Sequence, residues 1–173
     1  MKFLLLPILL LVFIKASAQS DTAIVTLNGI GDIKLEMKLQ QVEKILNHKI
    51  TLHHPERLKQ DNETDTVQIQ DKGVAMEVVF RSLSREITVQ AITSYDPKLR
   101  TRSGIRIGDD KYKIIRAYEQ YSLFITPEYN NENNWTRSKT KSLITLEDKS
   151  SMIQFYLTNN KLVGIKIQNI EGD

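Results

Sequence analysis

The sequence contains no cysteine among its 173 residues, and this absence excludes several chemistries at once. Disulfides, thiolate nucleophiles and thiolate metal ligands are ruled out, as is the lipid-bearing cysteine of a bacterial lipoprotein. Proline and glycine are scarce, at 4 and 7 residues, so neither a disordered chain nor a fibrous repeat is favoured. A protein of this size without disulfides must be held together by packing alone.

The chain also lacks any apolar run of the ~20 residues that a membrane-spanning helix needs, although a shorter run stands near its start. Lys2 supplies a positive charge, residues 3–14 are apolar apart from one proline, and small residues precede position 19. We therefore predict a secretory signal peptide over residues 1–18 and an exported bacterial protein, periplasmic or secreted, with neither a membrane span nor a lipid anchor. The alternative is an N-terminal core helix.

Excess charge of one sign is also missing. Lys2 and Lys15 lie in the predicted signal peptide, so that removing it leaves 22 of the 24 basic residues against 21 acidic ones. A net charge of about +1 provides no electrostatic footprint for nucleic acid. We therefore expect no nucleic-acid partner.

Two segments of the chain are similar to each other in residue order. Residues 33–46 and 105–118 each consist of an apolar-basic-apolar triplet, a turn and a stretch with apolar residues at helical spacing. Each segment is followed by a polar turn between two strand-like runs, at residues 70–73 and 147–150, and then by a third strand-like run.

These similarities predict an α+β fold built from two tandem repeats, each a helix followed by an antiparallel meander. Repeat 1 would cover residues 19–97 and repeat 2 residues 98–173. Because one such unit is too small to be stable alone, we expect the two sheets to join side by side with the helices on one face.

The two segments carry a resemblance to a known family. Residues 29–35 with the helix at 39–46, and residues 103–108 with the helix at 111–118, resemble the strand-to-helix opening of the β-lactamase-inhibitor-protein-like superfamily. That superfamily includes the small lipoprotein of the outer-membrane barrel-assembly machinery. A strand, short Asn turn and strand over residues 155–167 is similar to its closing feature. The resemblance implies a tandem-repeat fold whose concave sheet face contacts a protein partner.

The chain has three histidines, and they form a cluster of side chains of the types that bind metals. His48, His53 and His54 lie within nine residues of one another together with Glu56. Because this segment has the pattern of a loop and its counterpart in the second segment has no histidine, we predict a solvated loop and no metal, with a metal site as the alternative. A nucleophile elbow and a phosphate-binding glycine loop are both missing, so we predict a non-enzymatic protein without a cofactor.

Alternation along the predicted strands assigns residues to two faces of the sheet. The face toward the helices would hold Met76, Val78, Phe80, Ile153, Phe155 and Leu157. The opposite face would present Glu77, Val79, Arg81, Thr88, Gln90, Gln154, Tyr156 and Lys166. A tyrosine among charges is typical of a protein-contact surface, although a plain solvated sheet face is the alternative.

Trp135 lies in a polar loop and is a further candidate anchor for a partner. The alternative is that it folds under the edge of the sheet.

These patterns favour an exported bacterial protein-binding module that acts through the helix-free sheet face, an enzyme inhibitor being one form of it. The second hypothesis is an envelope or outer-membrane assembly or maintenance factor. A third is a small metal-binding protein or hydrolase that uses the histidine segment.

Overall fold

The computed structural model describes residues 23–130 and 136–170. The predicted signal peptide, residues 1–18, and the candidate anchor Trp135 lie outside these residues. Of the described residues, 53% are in β-strands and 13% in helices. The strands are divided between a sheet of seven strands and a sheet of four.

The larger sheet contains all the long strands, and each of its neighbouring pairs is antiparallel. Its order is β4-β5-β6-β11-β10-β9-β8. The strands are β4 (Thr64–Asp71), β5 (Val74–Leu83), β6 (Glu86–Ser94), β8 (Leu123–Asn130), β9 (Thr136–Glu147), β10 (Ser151–Thr158) and β11 (Lys161–Asn169). Strands β6 and β11 meet at the centre, so that the sheet combines a meander of three strands with a meander of four.

Strict alternation of apolar and polar residues explains why these segments form strands. In β10, Ile153, Phe155 and Leu157 are buried, whereas the residues between them are partly exposed. The six residues predicted to face the helices are all buried, which confirms that part of the prediction. Three hairpins close with two-residue turns in which both residues have positive φ, a conformation that matches the twist of the strands: Lys72-Gly73, Ser84-Arg85 and Asn159-Asn160.

The described residues contain two short α-helices and a 3-10 helix of three residues, Arg57–Lys59. Helix α1 (Leu39–Leu46) buries Leu39 and Val42 and ends at Asn47, which adopts the left-handed conformation. Helix α2 (Lys111–Ala117) begins after Asp110, whose carboxylate accepts a hydrogen bond from the backbone N–H of Lys113 at 2.9 Å. Both helices begin at the predicted residues.

The smaller sheet was not predicted. It consists of β1 (Ile24–Thr26), β2 (Gly29–Ile30), β3 (Ile33–Lys34) and β7 (Arg100–Thr101), in the order β3-β2-β1-β7. β7 pairs in parallel with β1 and joins two parts of the chain that are far apart in sequence. This sheet and both helices pack against the same face of the larger sheet, around the fully buried rings of Phe80 and Phe155.

The predicted α+β fold of two tandem helix-plus-meander repeats is wrong. The described chain is mostly β, with two helices of eight and seven residues against strands of up to 12. The apolar-basic-apolar triplets also differ in structure: residues 33–34 form β3, whereas Arg106 makes only an isolated bridge. The small sheet takes three strands from before α1 and one from after β6, so it is not a copy held by each half.

Candidate functional site: the open face of the larger sheet

The face of the larger sheet that points away from the helices is called here the open face. Residues paired in register form one row across it, from one edge strand to the other. That row contains Gln68, Glu77, Thr93, Lys166, Gln154, Thr145 and Phe124. Lys166 stands in the middle of the row, between Thr93 on β6 and Gln154 on β10.

Lys166 is the central charge of the open face. Burial among its neighbours lowers the pKa of its ammonium group. No ion pair or hydrogen bond of this ammonium group is found among residues 23–130 and 136–170. Glu77, the carboxylate in the same row, is two strands away, which corresponds to roughly 10 Å between backbones. Glu77 instead accepts a hydrogen bond from the side-chain amide of Gln68 at 2.8 Å.

Two tyrosines form an aromatic pair beside this row. The rings of Tyr95 and Tyr156 have centroids 6.5 Å apart and are tilted by 36°. Tyr156 lies on β10 directly opposite Gly164 of β11. Burial is the largest cause that raises the pKa of both phenols, and the charge of Glu128 on β8 raises both further.

Gly164 provides the space in which Tyr95 lies. A Cβ atom at Gly164 would be 2.4 Å from Cδ1 and 2.5 Å from Cε1 of the Tyr95 ring. These distances are far below ordinary van der Waals contact, so the ring packs directly on the glycine backbone. A side chain at position 164 would therefore displace the ring.

Tyr95 also lines a shallow cavity of about 260 Å³ where β5 begins and β6 ends. Gln68, Glu77 and Thr93 of the central row line it, together with Ala75 and Asp96. The Oδ2 atom of Asp96 accepts a hydrogen bond from the backbone N–H of Ala75 at 3.2 Å, and this bond ties the chain after β6 to β5. The cavity therefore continues the polar part of the row toward the aromatic pair.

The structure places most of the predicted binding residues on the open face. Glu77, Gln154 and Lys166 share the central row, and Tyr156 lies in the next row on one side. In the other direction Val79 pairs with Ala91, and Arg81 pairs with Thr88 one row further. Their role in binding stays a prediction.

Gln90 differs from this set because of a β-bulge. The register between β5 and β6 shifts at Val79, so that Ala91 and Val89 have partners on β5 and Gln90, between them, has none. Gln90 is the extra residue of this bulge. Because it has no partner on β5, the pairing assigns Gln90 to no row, and its place on the open face stays a prediction.

Sequence reasoning did not identify Tyr95, Phe124 and Gly164 as part of this surface. Tyr95 follows the last residue of β6, where the sequence indicates a linker. It is two residues after Thr93, so an extended chain places both side chains on the same face. Phe124 is 54% exposed on the edge strand β8, which sequence analysis did not locate. The alternation along β6 could therefore have placed Tyr95 on the same face as Thr93. The position of Gly164 under the Tyr95 ring could not be predicted, because it depends on the pairing of β6 with β11.

The histidine segment forms an exposed loop between α1 and β4. His48, His53 and His54 are all exposed, as is Glu56. Nδ1 of His48 is 3.0 Å from the carbonyl oxygen of Leu46, the last residue of α1. Across residues 23–130 and 136–170 no group of three or more His, Asp or Glu side chains is placed to hold a metal ion.

Within the described part of the chain, no helix is long and apolar enough to cross a membrane.

Comparison with protein-family models, with curated proteins and with solved structures finds no match to this chain. The resemblance to the β-lactamase-inhibitor-protein-like superfamily therefore stays a prediction made from the sequence.

Proposed function

We propose that this protein binds a protein partner through the open face, and that it does so after export from a bacterial cell. The export rests on the signal-like pattern of residues 1–18. The binding rests on one observation: the ammonium group of Lys166, at the centre of a sheet face, is half-buried and has no ion pair or hydrogen bond within the described part of the chain.

An unpaired charge in such a position is unfavourable for folding. Removing an ammonium group from water costs free energy unless a carboxylate or hydrogen-bond acceptor replaces the water, and the lowered pKa of Lys166 reflects that cost. A partner that places an Asp or Glu against Lys166 would supply the missing acceptor. We infer a partner surface with a carboxylate at its centre.

The aromatic residues around Lys166 support apolar contacts at the same interface. Tyr95, which follows β6, is 55% exposed, and Phe124 on β8 is 54% exposed. In the strand order they lie on opposite sides of Lys166, and Tyr156 on β10 lies between them. Tyrosine and phenylalanine provide large contact areas at little loss of side-chain entropy, and they are enriched where proteins bind one another. The inferred partner therefore has apolar side chains on both sides of its carboxylate.

The edges of the sheet are less suited to a partner than its face. Edge strand β8 contains Pro127, which has no N–H, and its pairing with β9 is irregular at this residue. The other edge strand, β4, exposes Thr64, Thr66 and Gln68 and carries no apolar side chain outward. Addition of a partner strand is therefore disfavoured at β8, whereas β4 offers no apolar side chain outside the sheet for further contacts.

Site-specific photo-crosslinking in the native envelope tests this proposal. A photoreactive residue replaces Tyr156 on the open face or, as the control, Tyr112, which is 67% exposed on α2. We expect one protein to be captured from position 156 and not from position 112. A soluble enzyme would favour inhibition, whereas an outer-membrane barrel component would favour envelope assembly.

Charge reversal then tests the interface with the captured protein in purified form. We expect Lys166→Glu to weaken binding by about ten-fold or more, because a close charge pair becomes repulsive. The control Lys149→Glu makes the same charge change in the exposed turn between β9 and β10 and should leave binding unchanged. Circular dichroism of both variants checks folding. Equal affinities for Lys166→Glu and Lys149→Glu, or capture from both tyrosine positions alike, would refute the proposal.

A further inference from the structure

A second surface feature lies on the helix side of the molecule, where the smaller sheet meets the turn between β4 and β5. It is an open cavity of about 570 Å³, within the range of ligand pockets, which is roughly 300–1,000 Å³. Strands β1, β3 and β7 and the Lys72 turn contribute to it. Its lining includes Thr26, Asp32, Lys34, Lys72, Arg100 and Arg102.

Positive charge dominates this cavity. Lys34, Lys72, Arg100 and Arg102 line it, against one lining carboxylate, Asp32. Asp32 is already engaged, because its Oδ1 atom lies 2.7 Å from Nζ of Lys72.

A second carboxylate, Asp71, lies next to the cavity. It accepts a hydrogen bond from the backbone N–H of Asp32 at 3.0 Å. Among residues 23–130 and 136–170, four cationic side chains therefore stand against two carboxylates, so that positive charge is in excess around the cavity.

Two of the cations show that they are not fully compensated by the protein. The Nε atom of Arg100 is buried and has no hydrogen-bond partner among the described residues. Burial is the largest cause that lowers the pKa of Lys34; the charges of Lys72 and Arg102 lower it further, while Asp32 and Asp71 raise it. Such a cluster of repelling cations costs stability and would be relieved by a bound anion.

The fold brings this cluster together from distant parts of the sequence. Lys34 lies on β3 and Lys72 in the β4–β5 turn, whereas Arg100 lies on β7. The parallel pairing of Arg100 with Ile24 on β1 carries the arginine into the small sheet. Arg100 and Arg102 are close in the sequence, but only the fold brings Lys34 and Lys72 to them.

We propose that this cavity binds a phosphate group, either free or as the monoester of a small organic molecule. Phosphate carries a charge of about −1.5 to −2 at pH 7, opposite in sign to the excess charge of the lining. Guanidinium groups such as those of Arg100 and Arg102 match its oxygens in bidentate geometry. The cavity is larger than a phosphate ion, and the exposed side chain of Ile24 on its wall provides an apolar contact for the organic part of an ester.

Isothermal titration calorimetry on the purified protein tests this inference with two probes, inorganic phosphate and phenyl phosphate, at matched ionic strength in chloride. We expect saturable binding of phosphate. Tighter binding of phenyl phosphate would identify the monoester as the ligand class, and equal affinity would identify free phosphate.

Four variants locate the binding. Lys34→Gln and Arg102→Gln each remove a lining charge and should weaken binding by about ten-fold, the loss of a charge-assisted hydrogen bond. Lys44→Gln and Arg116→Gln make the same changes on exposed positions of α1 and α2 and should not. Absence of saturable heat with both probes would overturn the inference, as would equal losses in all four variants. Lys166→Glu on the open face should leave phosphate binding unchanged, which separates this test from that of the proposed function.

Discussion

Replacement of Gly164 by alanine tests the packing of the aromatic pair on the open face. The new Cβ atom would lie 2.4 Å from Cδ1 of Tyr95, more than an ångström inside ordinary contact, so the ring must move. Because the ring is 55% exposed, it can swing into solvent, and the cost is lost burial and not backbone strain.

The size of the effect follows from the buried part of the ring. A tyrosine buries about 150–250 Å² when fully enclosed, so the 45% of Tyr95 that is covered corresponds to about 100 Å² and about 2 kcal/mol. Alanine in place of glycine within a strand recovers about 0.5–1 kcal/mol of backbone entropy. We therefore expect Gly164→Ala to lower the free energy of unfolding by about 1 kcal/mol.

A double-mutant cycle makes this reasoning refutable. In a Tyr95→Ala background the clash is gone, so Gly164→Ala should stabilise the protein by about 0.5–1 kcal/mol. Urea unfolding followed by circular dichroism measures all four proteins. If Gly164→Ala has the same effect on unfolding in both backgrounds, Tyr95 does not pack on Gly164.

Three further substitutions test other parts of the structure. Lys166→Met should raise stability at pH 7, because it removes a charged group whose pKa is lowered in the folded state by burial. Deprotonation of Lys166 removes the same penalty, so the gain in stability should shrink as the pH rises toward 10.5, the usual pKa of a lysine in an unfolded chain. A gain that grows with pH in urea titrations would contradict this. Asp110→Ala removes the N-cap hydrogen bond to Lys113 and should cost about 1 kcal/mol, whereas Asp110→Asn should retain most of it; thermal melting distinguishes the two. Phe80→Ala opens the centre of the core and should cost about 3–5 kcal/mol, and a loss below 1 kcal/mol in chemical denaturation would show that this ring is not central.

Local features were the ones that could be predicted from the sequence. Strand β10 alternates so regularly that Ile153, Phe155 and Leu157 are identified as buried without a structure. The start of α2 after Asp110 and the Asn159-Asn160 turn were also predictable. In each case the cause acts over a few residues: side-chain parity, a capping carboxylate and residues that tolerate positive φ.

The prediction of the fold class was wrong because it gave two similar segments more weight than the strands around them. Helices of two turns contribute little to a protein whose described residues are 53% strand. The pairing of Arg100 with Ile24 joins residues that no repeat pattern relates, and it created a second sheet. Pairings between distant strands depend on the packing of the whole core, which local patterns do not encode.

The same distinction between local patterns and tertiary contacts applies to the two proposed sites. The sequence alone determined which side chains of β5, β10 and β11 leave the core, since alternation in an extended chain admits only two faces. Only the tertiary structure decided that Lys166 has no carboxylate partner among the described residues, that Tyr95 lies on Gly164, and that cations from three distant segments surround one cavity. Charge and burial depend on which strands become neighbours, and that choice is made by the fold as a whole.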